Sequence, residues 1–173
     1  MSSYLHDRPA LFVAFGLPGA GKTYAARVFE EFGFKMHDGD DDLPDDMRAA
    51  IAASQSISDA MRDVFFGQIT ASVERLWPEH PQLVIAQTFI KEKYRQRFLD
   101  TFPAAHFVLV EADLAVRERR LAHRTHQALD PDYVRKMDRI FEPPRIPHQL
   151  ISNNEDGSAH LKRQIAAILE MTT

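Results

Sequence analysis

The sequence contains no cysteine, so disulfide bonds, cysteine-ligated zinc, iron–sulfur clusters and thiol catalysis are all excluded. It also has no excess of positive charge. Its 21 lysine and arginine residues stand against 25 aspartate and glutamate residues, which gives a formal charge of −4 and an isoelectric point near 6.0. A surface that neutralises nucleic-acid phosphates needs the opposite balance, so a dedicated nucleic-acid binder is disfavoured.

Long hydrophobic runs are lacking as well. The longest one near the N-terminus, Leu11 to Phe15, has five residues, whereas a helix that spans a membrane needs about 20. Residues 1–9 lack the apolar core of a secretory signal. We therefore expect a cytoplasmic protein without a membrane segment, and the length of 173 residues predicts one domain over 1–173.

Short apolar runs alternate with longer segments of helical periodicity. The runs predict strands over 10–15, 34–38, 82–87, 106–111 and 145–152, and the periodic segments predict helices over 21–32, 91–101, 114–123 and 158–171. A further long helix follows Ser56 and Asp59, which fit a capping box, and ends before Pro78. Its inner face is marked by Met61, Val64, Phe65, Ile69, Val73 and Leu76. Because parallel strands need crossover connections, this alternation predicts a three-layer α/β/α fold with a parallel sheet of about five strands.

The segment after the first predicted strand carries a phosphate-binding pattern. Residues 16–23, Gly-Leu-Pro-Gly-Ala-Gly-Lys-Thr, match G-x-x-x-x-G-K-[ST]. In such a loop, successive backbone N–H groups point at phosphate oxygens, the lysine reaches the β- and γ-phosphates, and the hydroxyl ligates Mg²⁺. We therefore expect ATP and Mg²⁺ as cofactors, with the phosphates bound by Gly16, Gly19, Ala20, Gly21, Lys22 and Thr23.

An acidic turn follows the second predicted strand. Asp38 and Asp40 flank a glycine there, so both carboxylates can point into the cleft at the end of the strand. One is suited to the Mg²⁺ shell and the other to accept a proton from an attacking hydroxyl. The third predicted strand ends without an aspartate, which leaves the Mg²⁺ role to Asp38 and argues against a large motor-type ATPase.

A basic cluster occupies the helix predicted over 114–123 and the residue that follows it. Helical spacing places Arg117, Arg120 and Arg124 on one face. We expect Arg120 and Arg124 to be functional, with an arginine that closes on the transferring phosphate, and Arg117 and Arg119 to form a solvated face. The histidines, including His123 and His126, match no zinc spacing, so no metal site is expected from them.

These motifs resemble those of the gluconokinases, small phosphate-loop kinases related in fold to the shikimate kinases. The resemblance covers most of the chain, and its segments are 16–23, 38–44, 58–62, 87–97, 120–126 and 141–144. The chain departs from the family pattern where a histidine is missing before Pro44, where Gln87-Thr88 replaces Cys-Ser, and where the segment around Arg124 is one residue shorter and has lost a glycine.

The resemblance implies a P-loop kinase fold with a helical lid over roughly residues 117–140, and ATP-dependent phosphorylation of a hydroxyl on gluconate or a related small acidic sugar or polyol. In that comparison Asp40 deprotonates the hydroxyl and Asp38 helps to hold Mg²⁺. Arg62 pairs with the acceptor carboxylate, to which the planar guanidinium fork is suited. The implied roles of the remaining residues are a second acceptor cation for Lys91, lid closure for Arg124, and nucleotide contacts for Arg120, Asn153 and Asn154.

Two other functions remain open at this point. A polynucleotide 5′-kinase can use a similar core, but it needs a basic groove, and only residues 91–97 offer one. A non-catalytic nucleotide-binding regulator is the other, although the retention of Lys22, Thr23, Asp38 and Asp40 argues against it. The expected partner is a small-molecule acceptor, and the sequence is compatible with a monomer or a homodimer.

Overall fold

The computed structural model describes residues 8–124 and 129–172. Its five strands form one parallel sheet in the order β2-β3-β1-β4-β5, which confirms the predicted sheet. The strands are β1 Ala10–Phe15, β2 Lys35–Asp38, β3 Gln82–Ala86, β4 Ala105–Glu111 and β5 His148–Ser152. The helices of the described residues are α1 Lys22–Glu30, α2 Asp45–Ala52, α3 Asp59–Leu76, α4 Glu92–Thr101, α5 Leu114–Ala122, α6 Pro131–Ile140 and α7 Ala159–Thr172, with a short 3-10 helix over Gly39–Asp42.

Helices cover the sheet on both faces and so make three layers. Along β1, Leu11, Val13 and Phe15 belong to the core that includes α3 and α4, whereas Phe12 and Ala14 belong to the core that includes α1 and α7. Strands buried on both faces need apolar side chains at nearly every position. This explains why the central strands are continuous apolar runs rather than alternating ones.

The carboxyl ends of three neighbouring strands meet at one edge of the sheet. Ala86, the last residue of β3, pairs with Asp38 of β2 on one side and with Ala14 of β1 on the other. The segments that follow these strands therefore start side by side. Ligands of open parallel sheets bind beyond this edge, which places the phosphate-binding pattern and the acidic turn together.

Several predicted details differ from the structure. The cap of α3 is Ser58, whose hydroxyl accepts a hydrogen bond from the backbone N–H of Met61, so the capping box at Ser56 is wrong. Val64 is 56% exposed although we expected it on the inner face, and Phe66 is buried instead. Helices α2 and α6 are not among the helices that periodicity predicts, although α6 lies within the helical lid that the resemblance implies. Residues 125 and 126, part of the expected lid, lie outside the described residues, as do residues 1–7.

Arg95 of α4 is completely buried. Its guanidinium Nε donates to the carbonyl of Phe89 at 2.7 Å, its Nη2 donates to that of Ile90 at 3.2 Å, and its Nη1 donates to Glu92 at 2.7 Å. Phe89 has a φ of +46°, in the left-handed region that bulky residues avoid. Arg95 therefore fixes the strained segment that follows β3.

Among the described residues, no helix combines the length and the apolar character that a membrane crossing requires.

Candidate active site

The phosphate-binding segment forms a loop that ends at the N-terminus of α1. Gly21 precedes the helix with a φ of +91°, and no side chain caps the helix there. The uncapped N–H groups and the positive end of the helix dipole make this terminus a site for an anion. In the structure the Nζ of Lys22 donates to the carbonyl of Leu17 at 3.2 Å, across the same loop.

Asn153 is hydrogen-bonded to the backbone of the phosphate loop. Its Nδ2 donates to the carbonyl of Ala20 at 2.8 Å, and its Oδ1 is paired with the Nε2 of His160 at 2.8 Å. A Cβ at Gly21 would collide with that Nδ2, so the position needs glycine for space as well as for its φ. The nitrogen and the oxygen of the Asn153 amide thus both have partners within the protein, and the nitrogen contacts the backbone of the loop.

Arg120 braces the same loop. Its Nη2 donates to the carbonyl of Asn153 at 2.8 Å, and its Nη1 lies 3.4 Å from the carbonyl of Gly19. Asn154, which is also expected to contact the nucleotide, accepts a hydrogen bond from the backbone N–H of Asp113 at 2.7 Å. The structure therefore places Arg120 of α5 beside the loop, and Asn153 and Asn154 directly after β5.

The acidic turn is held in place by a chain of hydrogen bonds. Asp38 accepts one from the backbone N–H of Asp40 at 3.0 Å, and so caps the 3-10 helix. Asp40 in turn accepts one from the Nε2 of Gln87 at 2.9 Å. The Oε1 of Gln87 accepts from the backbone N–H of Thr88 at 2.7 Å. Because a backbone N–H needs an acceptor, this last contact turns the Gln87 N–H₂ group toward Asp40.

The charges of the loop and the turn affect one another. Burial lowers the pKa of Lys22 to about 8; the negative charges of Asp40 and Asp38 oppose this, while Arg124 adds to it. Burial raises the pKa of Asp38, and the neighbouring charges of Asp40 and Asp41 act in the same direction. Such mutually perturbed groups in a cleft are typical of a functional site. A bound polyphosphate would favour the charged form of Lys22.

The phosphate loop and the acidic turn both line one cavity of about 790 Å³. Among the predicted residues it brings together Lys22, Thr23, Asp38, Asp40, Arg62 and Arg124. Arg62 comes from α3, its side chain is 11% exposed, and its Nη1 donates to the carbonyl of Ile57 at 2.7 Å. The volume lies in the range of small-molecule sites.

Lys91 is not part of this cavity. Its Nζ lies 3.3 Å from Glu142, and both residues line a separate depression on the surface. The structure therefore does not bring Lys91 together with Arg62, contrary to the expected second cation of an acceptor pocket.

Arg117 also differs from its expected role. It is 6% exposed rather than solvated, and its two terminal nitrogens donate to the two oxygens of Asp138 at 2.9 and 2.7 Å. Its Nη1 also lies 3.3 Å from the carbonyl of Pro18. Helical spacing placed this arginine correctly on the face of Arg120, but only the packing of α6 shows that this side of the helix is covered. Arg119 is exposed, as expected.

Sequence reasoning missed part of the cavity wall. Tyr133 of α6 lines it beside Arg62, and an apolar wall comes from α2, α3 and the segment after β3. The members of that wall are Leu43, Met47, Ile51, Ile57, Phe65, Phe66, Phe89 and Ile90. Asp130 followed by Pro131 was an available signal for the start of α6, because Asp is a preferred N-cap residue and Pro a preferred first helical residue.

The residues at the loop fit a magnesium ion that is shared with a nucleotide. The described residues contain no group of three metal-ligating side chains, so they form no cage for a cation by themselves. Mg²⁺ in phosphate-transfer sites takes one or two protein oxygens and completes its shell with phosphates and water. Thr23 and Asp38, which line the same cavity, supply a hydroxyl and a carboxylate of that kind.

Comparison with solved structures supports the fold. A sugar kinase from Janibacter sp. HTCC2649 is 17% identical, with a TM-score of 0.80 over 93% of this chain and 94% of that chain. A gluconokinase from Sinorhizobium meliloti 1021 is 22% identical, with a TM-score of 0.78 over 94% and 93%. Kti12 from Chaetomium thermophilum, in complex with ADP-AlF3, is 19% identical, with a TM-score of 0.67 over 94% and 99%.

The sequence comparisons give two further results. No curated protein matches the chain significantly. A protein-family model described as an AAA domain matches residues 11–144, which include the phosphate loop, the acidic turn and Arg62. Since this match extends over more than half of the sequence, and the sheet has the arrangement of its structural neighbours, the chain belongs to the AAA domain family and has the predicted P-loop kinase fold.

Proposed function

We propose that this chain is an ATP-dependent phosphotransferase that moves the γ-phosphate to a hydroxyl of a small carboxylated sugar or polyol, with gluconate or a related sugar acid as the leading candidate. One observation carries the proposal. A single cavity is lined by the phosphate-loop residue Lys22, the carboxylate of Asp40 and the guanidinium of Arg62. These are the groups that a phosphate donor, a reacting hydroxyl and an acceptor carboxylate need.

In the proposed reaction the acceptor hydroxyl gives its proton to Asp40 as its oxygen attacks the γ-phosphorus. The bond from that phosphorus to the β–γ bridging oxygen breaks, and ADP leaves with the electron pair. Lys22 and the N-terminus of α1 offset the negative charge of the phosphates, and Arg124 offsets that of the transferring group. Thr23 and Asp38 would hold Mg²⁺, which supplies further charge neutralisation at the phosphates.

Gln87 has a positioning role in this scheme. Its amide donates to Oδ1 of Asp40, which leaves the other carboxylate oxygen for the acceptor hydroxyl. The amide is itself oriented by the backbone of Thr88. The rotamer of the base is therefore fixed before the acceptor binds, and such fixed geometry is a large part of enzymatic rate enhancement.

The names of two structural neighbours, a sugar kinase and a gluconokinase, agree with this proposal. The third neighbour, Kti12, is described as a complex with ADP-AlF3 and its name gives no acceptor. That structural neighbour fits the second candidate function, a nucleotide-binding protein that is not a sugar kinase.

The test is release of ADP from Mg-ATP in the presence of a panel of sugar acids and polyols led by D-gluconate. We expect Lys22→Ala and Asp40→Asn each to lower kcat/KM by at least about 100-fold, the size of effect typical of lost charge stabilisation or general-base catalysis. Asp41→Asn is the matched control, because Asp41 is exposed on the same turn. Binding of ATP without turnover of any panel member would refute the proposal and favour the second candidate.

A further inference from the structure

Tyr133 lies in the cavity wall on a well-defined helix end. Asp130 caps α6 by accepting a hydrogen bond from the backbone N–H of Asp132 at 2.7 Å, and Pro131 occupies the first turn. Tyr133 follows in the same turn, is 7% exposed, and lines the cavity together with Arg62 and Asp40. The position of this phenol is therefore set by the start of the helix.

The hydroxyl of Tyr133 has no hydrogen-bond partner among the described residues, although buried tyrosine hydroxyls usually have one. Tyr94, which is 1% exposed, shows the ordinary case: its hydroxyl donates to Asp63 at 2.9 Å and lies 3.2 Å from the carbonyl of Asp59. No fully enclosed side-chain nitrogen or oxygen of the described residues lacks a partner. The Tyr133 hydroxyl is therefore open to the cavity, where a ligand can reach it.

The charges around the phenol favour its protonated form. Burial raises the pKa of Tyr133 above its ordinary value of 10.0, the negative charge of Asp40 acts in the same direction, and the positive charge of Arg62 opposes both. At neutral pH the group is thus a neutral hydrogen-bond donor. The charges of both Arg62 and Asp40 therefore act on the phenol of Tyr133.

The unused hydrogen-bonding capacity of this wall fits one carboxylate. Arg62 spends its Nη1 on the carbonyl of Ile57, which leaves its other N–H groups for a ligand. The cavity lining also includes Leu43, Ile57 and Phe65, whose side chains offer no donor. A carboxylate has two oxygens, and a guanidinium edge together with a phenol would satisfy both with charge-assisted hydrogen bonds.

We propose that the hydroxyl of Tyr133 donates a hydrogen bond to the acceptor carboxylate held by Arg62, and that this pair makes the enzyme select acids over uncharged polyols. The inference rests on the proposed function and adds a residue on α6 to the acceptor site. The acceptor hydroxyl is left to Asp40.

The arrangement also links the acceptor to the phosphate loop. Tyr133 and Asp138 are on the same helix, and Asp138 is paired with Arg117, which contacts the carbonyl of Pro18. An acceptor bound between Arg62 and Tyr133 therefore joins α3 to α6, and through Arg117 to the phosphate loop. The Tyr133 hydroxyl itself has no hydrogen bond to the phosphate loop among the described residues, so Tyr133→Phe should affect the acceptor without removing a nucleotide contact.

The experiment compares wild type and Tyr133→Phe in steady-state kinetics with Mg-ATP. The acceptors are D-gluconate, or the best acid of the panel, and D-glucitol, which has the same carbon chain without the carboxylate. We expect KM for the acid to rise about 10- to 100-fold, as for a lost hydrogen bond to a charged group. KM for ATP and the kinetics with D-glucitol should stay unchanged.

Tyr94→Phe is the matched control, because it removes a phenol hydroxyl that contacts α3 outside the cavity. We expect it to leave the acid-to-glucitol preference unchanged. Thermal unfolding of each variant shows whether folding is retained, and Tyr133→Phe should melt close to wild type because it loses no hydrogen bond within the described residues.

The outcomes distinguish failure of the role of Tyr133 from failure of the proposed function. Turnover of an acid with an unchanged KM in Tyr133→Phe would overturn the role of Tyr133 and leave the proposed function intact. Turnover of polyols but of no acid would also overturn it, since the carboxylate is its premise. Turnover of no acceptor by wild type would overturn both. A raised KM that is equal for the acid and D-glucitol would indicate a packing effect and would likewise contradict the selective hydrogen bond.

Discussion

Arg117 connects three parts of the molecule, and its replacement is the most direct test of how α6 is attached. Its side chain is 7% exposed and that of Asp138 is 25% exposed. Two hydrogen bonds join them, and a third contact reaches the carbonyl of Pro18 in the phosphate loop. Removal of the guanidinium leaves a largely buried carboxylate and a loop carbonyl without their donors.

The expected cost follows from this geometry. Loss of one partner of a fully buried ion pair costs about 3–5 kcal/mol. Because a quarter of the Asp138 side chain reaches solvent, water replaces part of the lost interaction, and we expect Arg117→Met to lower the free energy of unfolding by about 2–3 kcal/mol. At about 2–4 °C per kcal/mol for a chain of this size, the melting temperature should fall by about 4–12 °C.

Urea unfolding measures the change, with Arg119→Met as the control because Arg119 is exposed on the same helix. The control should shift the free energy of unfolding by less than about 0.5 kcal/mol. The double variant Arg117→Met/Asp138→Leu should recover much of the loss, since it leaves no unpaired charge. Equal effects of Arg117→Met and Arg119→Met would refute the reasoning and restore the solvated face that the sequence suggested.

Two further predictions concern the effect of His106 on the pH dependence of stability, and the orientation of the proposed base Asp40 by Gln87. Burial lowers the pKa of His106 from 6.5, and its ring stacks on Phe12 at 5.0 Å. The unfolded chain thus takes up the proton first, and the free energy of unfolding should fall as the pH drops through 6.5 toward the folded pKa; urea unfolding of His106→Phe at several pH values should show a flatter dependence, and an unchanged slope would contradict the assignment. Gln87→Leu removes the hydrogen bond to Asp40, so on the proposed function kcat should fall about 10- to 100-fold while KM for ATP stays constant, and an unaltered kcat would argue against positioning.

The sheet could be predicted because its signals are local. Each central strand is one apolar run, and each crossover contains a periodic segment, so both appear within a short window of sequence. Helices α2 and α6 escaped because each buries only two residues, so that neither contributes a long apolar stripe to the core. In α2 only Met47 and Ala50 are buried, and in α6 only Tyr133 and Val134.

The two ends of the candidate site differ in the same way. The phosphate loop is a run of eight consecutive residues, so its spacing alone identifies it. The contacts that position the rest of the site join residues far apart in the chain: Gln87 and Asp40 are separated by 47 positions, and Arg117 and Asp138 by 21. No local pattern contains such pairs. Substitutions at the acceptor end can therefore change specificity while the nucleotide motif stays intact.

The segment after β3 shows why motif resemblance and substrate contact are different things. Lys91 and Arg95 lie in the stretch that resembles the gluconokinases, yet Lys91 pairs with Glu142 outside the cavity, and Arg95 is fully buried behind it. Arg95 holds the carbonyl of Phe89, and Phe89 lines the cavity at a strained φ of +46°. Without that guanidinium, the left-handed backbone at Phe89 would relax and move the wall. Arg95 therefore shapes the cavity wall without lining the cavity, and on the proposed function discrimination among acceptors falls to the side chains that face the cavity, among them Tyr133, which the motif does not contain.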